Sequence, residues 1–107
     1  MPDVIILVGL PASGKSTFAK QFILDNPGWV RINKDTLRLE IGGNSWYKKE
    51  KVVFKREREL IKESIDNGIN IVIDNTHLNP KTLNDTKNFV ESCGGNIVKV
   101  IYFDVEV

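Results

Sequence analysis

Two kinds of hydrophobic pattern alternate along the chain. Val4-Ile5-Ile6-Leu7-Val8 is an unbroken run of β-branched residues and leucine ending at Gly9, as expected of a strand buried on both faces. Lys15 to Leu24 then carries Phe18, Ala19, Phe22 and Ile23 at helical spacing, and Asn26-Pro27-Gly28 stops it. Trp29-Val30-Arg31-Ile32 reads as a second strand. Asn33 or Asp35 can cap a short helix through Leu39 or Ile41, which Gly42-Gly43-Asn44 breaks. From Trp46 to Asp66 the pattern predicts a long charged helix with Val53, Leu60, Ile61 and Ile65 on one face, a wet opposite face, and Asn67-Gly68 as its stop. Ile69 to Ile73 is a third apolar strand, broken only by Asn70, and it runs into Asp74-Asn75-Thr76. Asn79-Pro80 opens another helix, which Gly94-Gly95 ends, and Ile97 to Phe103 makes a fourth strand.

Strands alternating with helices predict right-handed βαβ crossovers, hence an α/β fold with a parallel sheet and helices on both faces. No repeat, low-complexity stretch or linker interrupts the pattern, and 107 residues suit one domain spanning 1–107. Fifteen Lys and Arg stand against fourteen Asp and Glu. Such a balance excludes a generally basic nucleic-acid coat and confines any nucleic-acid contact to a few phosphates. With Cys93 as the single cysteine there is no internal disulfide and no multi-cysteine zinc site. Met1-Pro2-Asp3 and a five-residue apolar run lack the basic leader and the length of a signal-peptide core, so the expected compartment is cytoplasmic.

The turn after the first strand carries chemistry. Gly9-Leu10-Pro11-Ala12-Ser13-Gly14-Lys15-Ser16 matches G-x-x-x-x-G-K-[ST] in the required strand-loop-helix setting. Glycines let the backbone wrap a polyphosphate with its N–H groups inward, and the following helix adds positive potential at its N-terminus. Gly9, Pro11, Ala12, Ser13, Gly14, Lys15, Ser16 and Thr17 are therefore the expected nucleotide-binding residues. Lys15 would reach the β- and γ-phosphates of ATP and Ser16 would bind the bridging Mg²⁺. Chance alone produces the octapeptide about once in several hundred chains of this length. The same site needs a carboxylate on a neighbouring strand for the metal's water shell, and Asp74 ends the third strand.

Asp35 and Arg38 lie three apart near the start of the short second helix, on one helical face at the C-terminal edge of the sheet. There an acceptor would sit, its hydroxyl giving a proton to Asp35 and its phosphate held by Arg38. Spacing alone leaves open that Asp35 is a cap and Arg38 a surface ion-pair partner.

The segments GLPASGKSTFAKQF, NPGWVRINKDTLR, NIVIDNTHLNP and VIYFDV, in that order and across nearly the whole chain, resemble the kinase domain of the phage polynucleotide 5′-hydroxyl kinase family. The resemblance implies a three-layer αβα sandwich of P-loop kinase type with strand order 2-3-1-4. It implies ATP- and Mg²⁺-dependent phosphorylation of a 5′-hydroxyl on DNA or RNA, with Lys15, Asp35 and Arg38 catalytic, and Ser16 and Asp74 on the metal side. In these roles Asp35 activates the 5′-OH and Arg38 grips the 3′-phosphate of the terminal nucleotide. Such kinases also carry an arginine-bearing lid beyond the fourth strand, a region that these 107 residues do not include. The expected partners are thus a 5′-hydroxyl nucleic-acid end and either a lid-supplying segment or a second copy joined through the edge beside the last strand. Two other readings stay open: a kinase of a small molecule or nucleoside, and a nucleotide-binding fragment inactive without a lid. The residues from Tyr47 to Ile65 hold seven basic against four acidic residues, and with Trp46 and Tyr47 could touch a nucleic-acid strand or form a solvated face. His77 reads as a turn residue, and Trp29 as one that packs against the core.

Overall fold

A computed structural model of the chain describes residues 1–10, 13–42, 50–75 and 79–103. Eight elements follow in order: β1 (Asp3–Val8), α1 (Lys15–Asp25), β2 (Trp29–Ile32), α2 (Lys34–Gly42), α3 (Glu50–Asp66), β3 (Asn70–Asp74), α4 (Pro80–Ser92) and β4 (Asn96–Tyr102). All pairings are parallel, in the order β2-β3-β1-β4 expected from the resemblance. Asp74 belongs to the strand itself, opposite Leu7 of β1, so the strand delivers its carboxylate directly.

The unbroken apolar runs have a simple cause. In β1, Val4, Ile6 and Val8 point to one face, where Ile61 and Ile65 of α3 and Leu83 and Val90 of α4 cover them. Ile5 and Leu7 point to the other, against Ala19, Phe18, Phe22 and Ile23 of α1. A strand buried on both faces cannot alternate with polar residues, and each such side chain contributes about 1.5–3 kcal/mol when fully buried. On the α1 side, Phe22 packs edge-on against Trp29 at 5.0 Å and Phe18 contacts Phe103 at 5.6 Å, so the half-buried Trp29 packs against the core. Asn70, the polar residue that opens β3, accepts a hydrogen bond from the Asp3 amide at 2.8 Å and so satisfies the start of β1.

Helix caps follow the sequence closely. Asn79 accepts from the Lys81 amide with Pro80 in the first turn of α4. The expected start of the long helix at Trp46 and Tyr47, and the turn residues Thr76 and His77, lie outside the described residues. Within α3 the apolar stripe is Val53, Ile61 and Ile65, but Glu57 shares it and is only 1% exposed. No helix among the described residues is long and apolar enough to cross a membrane.

Candidate active site

Three chain crossings meet at the C-terminal edge of the sheet. The first is the turn from β1 into α1. Gly9 is packed so tightly there that a Cβ would lie 2.9 Å from Cβ and the carbonyl oxygen of Phe103 and 3.0 Å from Ser13 Oγ. Gly14, before the first residue of α1, has φ +90°, a left-handed backbone that glycine adopts without strain. The pattern's glycines thus serve two different needs, close approach and a reversed backbone. Ser13 Oγ is buried with no hydrogen-bond partner among the described residues. Pro11 and Ala12 lie outside the described residues, while Thr17 is exposed on the first turn of α1.

Lys15, the first residue of α1, is 5% exposed and donates from Nζ to Asp74 Oδ1 at 2.8 Å. The structure thereby brings together two residues 59 apart in sequence that the sequence had assigned to phosphate and metal. Asp74 is fully buried. Burial alone pushes its carboxyl up, but hydrogen bonds and charge from Lys15 and Arg31 outweigh this and hold it below the usual carboxylate range. Arg31 is a residue that sequence reasoning missed. Its Nε donates to Asp74 Oδ2 at 2.7 Å and its Nη2 reaches Ser16 Oγ at 3.4 Å. The only signal for it was a charged residue at an inward position of a short strand.

The second crossing runs from β2 into α2 and resolves the cap left open by spacing. Asn33, not Asp35, caps the helix, its Oδ1 accepting from the Thr36 amide at 3.0 Å. Its amide nitrogen also donates to the Asp74 carbonyl oxygen at 2.6 Å, and the Lys34 amide donates to Asn75 Oδ1 at 2.9 Å. The start of α2 is therefore bolted to the end of β3, the third crossing. Asn75 in turn donates to Glu57 Oε2, which gives the buried glutamate of α3 its purpose. Glu57 was detectable as a charge in phase with Val53 and Ile61.

Asp35, relieved of capping, keeps its side chain 74% exposed and accepts from Arg38 Nη1 at 2.6 Å. Arg38 also donates through Nη2 to Glu50 at 2.8 Å, tying α2 to α3. Glu50, then Asp35, hold its guanidinium above its usual value against partial burial. Beside them the Phe54 ring, 47% exposed, lies under Lys34 Nζ at 5.4 Å and against the Arg58 guanidinium at 4.7 Å. Among the described residues no three His, Cys, Asp or Glu gather into a metal cage.

Comparison with known proteins places this arrangement. The profile of the AAA_33 family, described as an AAA domain, matches residues 4–106. An L-seryl-tRNA(Sec) kinase of Methanococcus maripaludis is 30% identical over 106 residues, covering 91% of this chain and 39% of that protein. A protein of Acanthamoeba polyphaga mimivirus assigned as a bifunctional polynucleotide phosphatase/kinase is 37% identical over 75 residues, 70% of this chain and 14% of its own length. Among solved structures, a chain of the Pnkp1/Rnl/Hen1 complex superposes with a TM-score of 0.85 and 33% identity, covering 98% of this chain and 36% of that one. The chain thus spans well under half the length of these relatives. With a phosphate-loop pattern opening α1, a 2-3-1-4 parallel sheet and a profile match over nearly its whole length, the chain belongs to the AAA_33 family and is a P-loop kinase domain of the polynucleotide-kinase type.

Proposed function

We propose that this domain transfers the γ-phosphate of ATP to the 5′-hydroxyl end of DNA or RNA. The observation that carries the reading is the exposed Asp35 carboxylate, freed from capping by Asn33 and held on a helix start that is hydrogen-bonded to the end of the Asp74 strand. The acceptor's hydroxyl oxygen attacks the γ-phosphorus, the bond to the β,γ-bridging oxygen breaks, and the proton passes to Asp35 as ADP leaves. Lys15 turns from Asp74 to the phosphates, and Arg38 holds a phosphate of the acceptor. Phe54, flanked by Lys34 and Arg58, offers a face on which the terminal base stacks.

The donor set fits a hard divalent ion held jointly with phosphates and water, since one guanidinium spans both Asp74 Oδ2 and Ser16 Oγ. When bound, Mg²⁺ would supply charge neutralisation at the transferring phosphate. The seryl-tRNA kinase relative favours a second reading, in which the same residues phosphorylate a hydroxyl other than a polynucleotide end.

The test is transfer of labelled γ-phosphate from Mg·ATP to a 5′-hydroxyl oligonucleotide, to a nucleoside and to free serine. Transfer to the oligonucleotide, lost in Lys15→Ala and Asp35→Asn, is expected. Preference for a small acceptor would move the assignment to the second reading. ATP binding with no transfer to any acceptor would make this stretch a nucleotide-binding part of a larger enzyme.

A further inference from the structure

Arg31 occupies a place that its strand neighbours do not explain. The parallel register sets it opposite Val72, so its side chain leaves the sheet on the α1 face, as does Asp74 two residues further along β3. There it meets a carboxylate that already has a counter-ion, because Lys15 holds Oδ1 while Arg31 holds Oδ2. The Arg31 side chain is 17% exposed and the Lys15 side chain 6%, so two cations are largely withdrawn from water around one negative charge. Withdrawing a second cation is unfavourable unless a further anion arrives or the position itself has a use. Its position is specific: Nε on Asp74 Oδ2 and Nη2 towards Ser16 Oγ, the two oxygens read above as the metal side.

We propose that Arg31 is a positioning residue that stands in for the metal in the nucleotide-free domain. The proposal rests on the assignment of Ser16 and Asp74 to the metal. The guanidinium fills the corner between these oxygens, keeps Asp74 oriented, and repels a free divalent cation that would otherwise bind a buried carboxylate beside a hydroxyl. Polyphosphate brings the missing negative charge. Lys15 then leaves Oδ1 for the phosphates, and the corner becomes favourable to a divalent ion only in the company of the nucleotide. Metal and nucleotide consequently enter together.

The direct measurement is binding of Mn²⁺ alone to the nucleotide-free protein, read from the loss of the free-ion paramagnetic resonance signal. Wild type is expected to bind weakly, Arg31→Met about tenfold tighter or more, and Arg31→Lys, which retains the charge, close to wild type. The gain should vanish in the double variant Arg31→Met with Asp74→Asn. A folded Arg31→Met protein that binds Mn²⁺ no better than wild type overturns the proposal, and Arg31→Gln serves the same purpose should the methionine variant not fold. Binding of a fluorescent ATP analogue with and without Mn²⁺ separates this from the parent assignment. If Mn²⁺ does not strengthen nucleotide binding to the wild type, the metal assignment itself fails; if it does and Arg31→Met leaves Mn²⁺ binding unchanged, only the role of Arg31 fails.

Discussion

Asp74 and Asp35 are both aspartates held by basic side chains at the same edge of one sheet, yet their surroundings are opposite. Asp74 has no exposed surface and two cations within 2.8 Å; the Asp35 side chain is 74% exposed and pairs with one end of Arg38. In the first, low-dielectric surroundings make charge balance a condition of folding. Water screens the second, so the pair contributes little to stability and leaves the carboxylate available to a hydroxyl. One carboxylate is thus tied into the fold, and the other, on the proposed function, is left to serve an acceptor.

The contrast is tested most severely by removing each charge in turn. Asp74→Asn leaves Lys15 and Arg31 without their common counter-charge and is expected to cost about 3–5 kcal/mol, measured by urea unfolding. Asp35→Asn should change stability by no more than about 0.5 kcal/mol in the same measurement, while reducing phosphoryl transfer by about 10²–10⁴-fold. Equal stability losses would mean that the two sites are not divided as described.

A smaller effect is expected behind α2. Glu57→Ala removes the acceptor of a buried Asn75 amide and should cost about 1–3 kcal/mol by urea unfolding, with Glu57→Gln, which keeps an accepting oxygen, losing less. Because Asn75 also receives the Lys34 amide, Glu57→Ala should raise the KM for the acceptor more than that for ATP. A purely structural role would shift both alike.

The smallest effect belongs to the exposed tie between α2 and α3. Hydrogen bonding to Arg38, against partial burial, holds the Glu50 carboxyl below its usual range. A carboxylate depressed in the folded state stabilises above its unfolded value and loses that contribution as pH falls through the folded one. The wild type should therefore exceed Glu50→Gln by less than about 1 kcal/mol at pH 7, with the difference fading below roughly pH 4 and in high salt. Thermal melts of the two proteins across pH 3–7 measure it.

Whatever is local or periodic could be read from the chain alone. The octapeptide from Gly9 to Ser16, the strand runs, the cap at Asn79 and the stops at Gly68 and Gly94 each rest on neighbours within a few residues, where backbone sterics and hydrogen bonding act directly. That Asp74 ends a strand at the same edge as the octapeptide was legible too, because the apolar run before it sets where the strand stops. The choice between Asn33 and Asp35 as cap was not, since both side chains suit the position and only the Asp74 carbonyl, 41 residues away, holds Asn33 in it. Arg31 and Glu57 could be read only as charges in apolar elements, without their partners. Each owes its role to partners 43 and 18 residues distant, brought near by strand register and helix docking. Charges in apolar elements are the trace that such contacts leave in a sequence, but the identity of the partner is decided only when the sheet closes, because burial makes an unpaired charge too costly to keep.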